Sequence, residues 1–310
     1  MLHTPVIFLI FRRPDLTAQV FEQIRAAKPA KLLVVADGPR NAQEAPLCEQ
    51  ARKVTEQIDW ECEVLRNYSD INLGCRDRVS SGLTWAFTQV EEAIILEDDC
   101  LPHPSFFPYC QELLERYKSD TRIMQIGGTN LFNSNLHGYY QYFFSRHFTS
   151  WGWATWKRAW QHYDKDLHLF QLLNSRNQLA NIWTNPNERT IRQKQMLDVL
   201  NNKIDSWAYI WSFSCAAQNA FSILPVCNLI QNIGFGLDAT HTKIKDERAF
   251  LATSQISIST HPEWIYSPTD VEIERISRFS PSSKFFPYIW KKFKSKTFKF
   301  FKAYKNIISK

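Results

Sequence analysis

Four short apolar runs separated by helical patterns are the feature that most constrains the fold of this 310-residue chain. Apolar runs of this kind are typical of strands buried on both faces. A strand–helix–strand order predicts a mainly parallel sheet with right-handed crossovers. The predicted fold class is therefore α/β, with a Rossmann-type, mainly parallel sheet flanked by helices. The predicted strands fall at residues 5–11, 31–36, 60–65 and 93–96.

Polar side chains follow three of these strands, at Arg12-Arg13, at Asp37 and at residues 97–99. Ligands of parallel α/β sheets bind beyond the carboxyl ends of the strands, so these groups are expected to face one crevice. A glycine-rich GxGxxG turn does not follow the first strand, which disfavours a dinucleotide cofactor.

The acidic triplet Glu97-Asp98-Asp99 directly follows four apolar strand residues. Adjacent carboxylates at a sheet edge are costly unless a positive charge neutralises them. A Mn²⁺ or Mg²⁺ ion shared with a diphosphate would do so, because these ions accept one or two carboxylates and complete their shell with phosphate oxygens and water. The alternative is a solvated acidic loop.

The basic charge is concentrated in residues 284–310, which carry nine Lys and no acidic residue. Once this +9 is taken from the chain's +6, the other 283 residues have a net charge of −3. Apolar residues recur in the tail at helical spacing, which predicts a C-terminal basic amphipathic helix on an anionic membrane surface. The alternatives are docking on another protein or a disordered tail. The acidic body argues against nucleic acid as a partner.

Seven cysteines occur in the chain, an odd number without a CxxC pair, which gives no zinc-site signal. We expect most of them to be buried in a reducing compartment. The N-terminus shows no signal peptide, and the uncharged stretch 206–237 is broken by polar residues, which indicates core rather than a membrane span. These features predict a cytoplasmic protein, peripheral at the inner face of the membrane.

Residues 93–107 resemble the DXD-type region of GT-A fold glycosyltransferases, most closely the N-acetylglucosaminyltransferase I-like family, and are also similar to bacterial family 2-type nucleotide-diphospho-sugar transferases. Further segments match that family in the same order, over about residues 5–245. They are Phe11-Arg12-Arg13-Pro14, Ala36-Asp37-Gly38, Gly152-Trp153 with Trp160, Asp205-Ser206-Trp207 and Thr240-His241.

The resemblance implies a role for each matched residue. It implies Asp99 as the direct metal ligand and Asp205 as the catalytic base, although Ser206 stands where the family has a second acid. The donor nucleotide sugar would be bound by Arg13, Asp37, Glu97 and Asp98, with Asp37 accepting a hydrogen bond from the base.

Several other residues have both a functional and a structural interpretation. Aromatic rings pack on sugar faces, so Trp151, Trp153 and Trp207 are candidates for an acceptor wall, and core packing is the alternative. His241 would complete the metal shell or contact the diphosphate, or else be structural. The Asn72-Leu73-Gly74 segment, with Arg76 and Arg78, would contact the nucleotide, or be a plain loop and helix N-terminus.

The sequence thus predicts a metal-dependent, inverting glycosyltransferase that moves a sugar from a nucleotide-diphosphate donor, with a UDP-sugar favoured, to a glycan or lipid-linked acceptor. One alternative is a sugar-nucleotide-forming nucleotidyltransferase, which would need a glycine-rich basic loop after strand one. The other is a non-catalytic, membrane-associated sugar-nucleotide-binding protein. The predicted domains are a catalytic domain at 1–245, with a nucleotide-binding half (1–100) and an acceptor half (101–245), a wrap or linker at 246–283 and the tail at 284–310.

Overall fold

One eight-stranded sheet organises the chain in a computed structural model that describes residues 2–131, 140–235 and 251–277. A separate two-stranded ladder adds to it. The strands are β1 (Val6–Ile10), β2 (Lys31–Ala36), β3 (Glu63–Tyr68), β4 (Glu92–Glu97), β5 (Cys100–Pro102), β6 (Ile123–Gly127), β7 (Tyr142–Ser145), β8 (Trp153–Trp156), β9 (Phe221–Pro225) and β10 (Ile230–Asn232).

The helices lie between the strands, and several begin at a proline, which suits the first helical turn because its amide hydrogen is not needed there. They are α1 (Pro14–Ala27), α2 (Ala45–Val54), α3 (Gly74–Gln89), α4 (Phe106–Tyr117), α5 (Lys157–Trp160), α6 (His168–Ser175), α7 (Pro186–Leu200), α8 (Trp207–Ala217) and α9 (Thr269–Ser277).

The order of the large sheet is β3-β2-β1-β4-β8-β6-β9-β7. The first four strands are parallel neighbours, β6 and β9 are also parallel, and β8 lies antiparallel between β4 and β6. The predicted α/β fold class, a mostly parallel sheet flanked by helices, is confirmed. Strand β8 was not predicted, since its aromatic residues were interpreted as a ligand wall.

Successive residues of β1 enter different cores because side chains alternate across a strand. Phe8 packs with the α1 residues Phe21 and Ile24 on one face of the sheet. Leu9 packs on the other face with the α3 residues Leu83 and Phe87. Helices on both faces therefore bury the central strands, as their apolar runs predict, whereas the edge strand β3 is partly exposed.

The third predicted strand was placed too early in the chain. It was expected at residues 60–65, whereas β3 covers Glu63–Tyr68 and pairs in parallel with β2 from Lys31 onward. Trp60 packs beside Phe21, and its indole nitrogen donates a hydrogen bond to the Pro29 carbonyl at 2.9 Å. The apolar residues at the start of the alternating pattern at 60–64 therefore pack against the core just before β3 begins.

The segment predicted as a wrap or linker at 246–283 packs on the body where it is described. Ile256 is buried in the main core, and Val271 of α9 packs against Phe143 and Leu224. Helix α9 was not predicted. The tail at 284–310 lies outside the described residues, and the predicted domain boundaries remain a prediction. Within the described ranges, no helix is both long and apolar enough to cross a bilayer.

Candidate active-site cleft

A cleft of about 320 Å³ lies at the carboxyl ends of β1, β2 and β4. Its walls come from both halves of the chain, because residues 205–208, together with Asn232, Gly234 and Phe235, face the strand ends. The predicted site residues Arg13, Asp37, Asp205 and Trp151, together with the acidic triplet 97–99, all line it. The parallel order of the first strands thus produces the single crevice that the sequence predicts.

Two carboxylates of the acidic triplet share a single guanidinium. Asp98, only 3% exposed, accepts hydrogen bonds from the Phe11 amide at 3.1 Å and from Arg13 Nη2. The same Nη2 reaches Asp99 Oδ2 at 3.0 Å. When all three carboxylates are ionised, Arg13 balances one of the triplet's three negative charges, and no other described cation is paired with the triplet.

Glu97 receives no hydrogen bond from the described residues, although it lines the cleft. Burial, together with the nearby charges of Asp99 and Asp98, raises the pKa of Glu97 above its ordinary value. Burial is also the main cause that raises the pKa of Asp98, against the opposing effect of Arg13. The triplet is therefore an electrostatically strained cluster that a cation would relieve.

The segment after β10 closes over the triplet. β10 pairs with β5, the strand that directly follows the triplet, and the Ile233 amide donates to the Asp99 carbonyl at 2.8 Å. A Cβ at Gly234 would overlap the Asp99 carboxylate and lie 2.8 Å from Arg13 Nη1. Only glycine fits this approach.

The residues at the triplet fit a hard divalent cation with few protein ligands. Asp99 Oδ1, which accepts only a long contact from the Cys100 thiol at 3.4 Å, and the Glu97 carboxylate are the oxygens left for it. Such an ion keeps water and phosphate oxygens in its shell, so one or two carboxylates suffice. Within the described part of the chain, no group of three or more His, Cys, Asp or Glu is arranged so that it could hold a metal ion by itself. His241 lies outside the described residues.

Asp37 is saturated with hydrogen bonds. Its Oδ1 accepts from the amides of Gly38 (2.9 Å) and Leu73 (3.0 Å), and its Oδ2 accepts from Asn72 Nδ2 (2.9 Å) and the Gly74 amide (3.1 Å). A carboxylate offers about four acceptor positions, and all are taken. Burial raises the pKa of Asp37, and these amide hydrogen bonds oppose that rise.

The prediction that Asp37 hydrogen-bonds the base therefore needs correction. Its carboxylate holds the connection between β3 and α3 and has no acceptor position left for a ligand. The sequence could not show this, because the donors come from residues 72–74, far along the chain.

Two arginines at the rim share one acid, an arrangement that sequence reasoning missed. Glu44 lies 3.2 Å from Arg12 Nε and accepts from Arg40 Nε at 3.0 Å. The Arg40 guanidinium also lies over the Phe11 ring, 5.6 Å from its centroid. This rim carries a net positive charge and faces the negative triplet across the cleft, which suits a ligand with phosphate groups.

Asp205 reaches the cleft from the loop before α8 and caps another helix. Its carboxylate accepts hydrogen bonds from the Cys75 and Arg76 amides, both at 2.8 Å, in the first turn of α3. Gly74 begins that helix at φ +79°, and a Cβ there would lie 2.7 Å from Asp205 Oδ2. Asp205 is exposed, and each oxygen keeps an acceptor position for a ligand hydroxyl.

The three candidate wall tryptophans separate into two kinds. Trp151 lines the cleft and contacts Phe235 edge-on, with ring centroids 5.6 Å apart. Trp153 is fully buried and stacks on Trp207 at 5.3 Å. Trp153 is thus a core residue of β8 and forms no wall, which corrects the prediction. Trp207 is only 2% exposed but is one of the residues that line the cleft.

Comparisons with known proteins give distant structural similarity only. No protein-family model matches the chain, and no curated protein does. A 4-diphosphocytidyl-2C-methyl-D-erythritolsynthase from Anaerococcus prevotii is 10% identical over 55% of this chain and 84% of its own, with a TM-score of 0.34.

Two structures of UDP-glucose pyrophosphorylase are also similar, each 8% identical. One, complexed with UDP-glucose, covers 72% of this chain and 90% of its own, with a TM-score of 0.34. The other, without ligand, covers 74% and 93%, with a TM-score of 0.36. Identities and TM-scores this low carry no argument about this chain. Its fold is described by its own strand order, and its cleft by the residues that line it.

Proposed function

We propose that this protein is a metal-dependent, inverting glycosyltransferase that uses a nucleotide-diphosphate sugar, with a UDP-sugar as the favoured donor. The observation that carries the proposal is the excess of negative charge at the end of β4, where Asp98 and Asp99 share Arg13, Glu97 lies beside them, and all three line the cleft. A divalent cation and the diphosphate of a donor would complete that charge balance.

The acidic triplet and Asp205 lie on opposing walls of the cleft and would have different chemical roles. Mn²⁺ or Mg²⁺, when bound by Asp99 and Glu97, would act as a Lewis acid on the leaving diphosphate. On the opposing wall, Asp205 would accept the proton of the acceptor hydroxyl, a contribution of roughly 10²–10⁴ in rate. Trp151, beside Phe235, offers an aromatic face for an acceptor sugar. A single displacement inverts the anomeric carbon.

The β1–α1 connection argues against a sugar-nucleotide-forming nucleotidyltransferase, the main alternative. Only Phe11, Arg12 and Arg13 join the strand to the helix, and none is glycine. The Arg12 guanidinium pairs with Glu44, and that of Arg13 pairs with the triplet. A connection of three residues without glycine offers few free backbone amides with which to enclose a triphosphate.

Donor hydrolysis tests the proposal. With Mn²⁺, the purified protein is expected to release UDP from at least one UDP-sugar, and Asp99→Asn should abolish the release. Glu61→Gln, an exposed acid on the surface, is the matched control and should leave the rate unchanged. Formation of a UDP-sugar from UTP and a sugar 1-phosphate would instead establish the nucleotidyltransferase. Metal-dependent donor binding without turnover would establish the non-catalytic binding protein.

We also propose a lipid-linked or glycan acceptor presented at the anionic inner face of the membrane, with a cytoplasmic location. The nine lysines of 284–310 support it, since each contributes about 1 kcal/mol near an anionic leaflet. Trp264 and Tyr266, 68% and 61% exposed, lie upstream of this tail and suit a membrane interface. All seven cysteines are free thiols, which suits a reducing compartment.

Vesicle sedimentation tests the membrane proposal. The full chain is expected to bind phosphatidylserine vesicles and to leave phosphatidylcholine vesicles unbound. Deletion of 284–310 should release it, with the circular dichroism spectrum unchanged as the control for folding. Equal binding of both vesicle types would contradict the proposal.

A further inference from the structure

The side-chain amide of Asn72 is held in one orientation at the edge of the cleft. Its Nδ2 donates one hydrogen bond to Asp37 Oδ2 and one to the Gly38 carbonyl, both at 2.9 Å. Both partners are pure acceptors, so a flipped amide would set oxygen against oxygen at each of them. The Asn72 carbonyl oxygen, Oδ1, receives no hydrogen bond from any described residue.

The loop that carries Asn72 is fixed before any ligand binds. The Asp37 carboxylate accepts hydrogen bonds from the Leu73 and Gly74 amides, which directly follow Asn72 in the chain. Gly38 packs so tightly on the loop that a Cβ there would lie 2.5 Å from the Ile71 backbone. Asn72 therefore presents an acceptor whose ordering cost is already met in the free protein.

The position of this acceptor relative to the triplet suits one end of a nucleotide. Asp37 follows β2 and Glu97 ends β4, and β1 lies between these strands. Two strand spacings separate the sites by about 10 Å. If the diphosphate lies with a cation at the triplet, as in the proposed function, the nucleoside extends toward Phe11, Arg40 and Asn72.

We propose that Asn72 Oδ1 accepts a hydrogen bond from the imide N3–H of a uracil base, and that Asn72 thereby selects uridine over cytidine nucleotides. Uracil carries a hydrogen at N3, whereas cytosine has a bare acceptor there, which would face the Asn72 oxygen. A donor–acceptor match of this kind in a cleft distinguishes the two bases by roughly 10- to 100-fold. Asp37 is a positioning residue, since it orients Asn72 without contacting the ligand.

The inference rests on the proposed function only in placing a nucleotide in the cleft. Its test measures dissociation constants of UDP, CDP and N3-methyl-UDP for the full chain by calorimetry with Mn²⁺. We expect CDP and N3-methyl-UDP to bind about 10- to 100-fold more weakly than UDP. Equal affinity for UDP and N3-methyl-UDP would overturn the inference without the use of any variant.

The Asn72→Ala variant then identifies the acceptor. It should weaken UDP binding and bring the UDP-to-CDP affinity ratio close to one, whereas Asn187→Ala, an exposed control on α7, should keep the wild-type ratio. An unchanged ratio in Asn72→Ala would overturn the assignment. Uracil-selective binding without donor hydrolysis would keep the inference and reject the transferase, while failure of all three nucleotides to bind would reject both.

Discussion

Two acidic sites at the same edge of the sheet have opposite hydrogen-bonding states. Asp37 follows β2 and accepts four hydrogen bonds. The triplet 97–99 begins at the last residue of β4. Among the described residues, Asp98 and Asp99 accept hydrogen bonds from Arg13, the Phe11 amide and the Cys100 thiol, and Glu97 accepts none. In sequence, both are acids directly after a buried apolar strand.

The difference teaches that an acid at a strand end becomes structural or reactive according to the donors that surround it. Asp37 faces the folded loop 72–74, whose amides point at it, so its charge is already stabilised. The triplet faces an open cleft, so part of its charge remains available to an external cation. Four substitutions sharpen or break this comparison, ordered by their expected effect on the free energy of unfolding.

Arg13→Met removes the guanidinium from the triplet while it keeps a long apolar stem. We expect a loss of about 3 kcal/mol in the free energy of unfolding, because two carboxylates lose their cationic partner. Chemical denaturation at pH 8 measures it, and millimolar Mn²⁺ should restore part of the loss. Arg122→Met, an exposed surface pair, is the control. A stability unchanged by Arg13→Met would contradict the charge imbalance.

Asp37→Asn tests the saturated site. Asparagine supplies one acceptor oxygen and turns its amide hydrogens toward donors, so we expect about 2 kcal/mol of destabilisation. Because no cation is involved, Mn²⁺ should leave this loss unchanged. Thermal unfolding of Asp59→Asn, an exposed acid, gives the baseline. Rescue of Asp37→Asn by Mn²⁺ would make the two sites alike.

Asp205→Asn separates capping from base catalysis. Asparagine can still accept from one of the Cys75 and Arg76 amides, so the stability loss should be about 1 kcal/mol. Because the asparagine amide cannot accept a proton as a carboxylate does, sugar transfer to an acceptor should fall roughly 10²–10⁴-fold. Unfolding curves and transfer rates on the same preparation check both. Near-normal transfer would reduce Asp205 to a helix cap.

Glu97→Gln tests whether the ionised Glu97 carboxylate destabilises the folded protein. The pKa of Glu97 is raised in the folded protein, so the folded state binds more protons than the unfolded state above the ordinary carboxyl range. Wild-type stability in chelator should therefore fall as pH rises from 5 to 8. Glu97→Gln should be more stable than wild type at pH 8, by on the order of 1 kcal/mol, and similar near pH 4.5. A steeper pH dependence in the variant would show that burial does not strain Glu97.

The sequence predicts the parallel half of the fold well, because continuous apolar runs such as that of β1 have few other ways to be buried. It predicts β8 poorly. Trp153 and Trp151 look alike in the chain, yet one is in the core and the other lines the cleft. Trp151 precedes β8, whereas Trp153 begins it and is covered by Trp207 and Trp211 of α8. The strand becomes recognisable only when β4 and β6 pair with it on both sides.

The order of apolar runs by itself determined that acids, arginines and a helix start would meet at one edge of a parallel sheet, because strand direction and crossover handedness leave little choice. Only the tertiary structure decided which acid keeps its charge unsatisfied. Hydrogen-bond donors for Asp37 and the cap provided by Asp205 come from residues distant in the chain, and close packing, as at Gly234 over Asp99, has no local sequence signature. Short-range electrostatics depends on distances that folding alone sets.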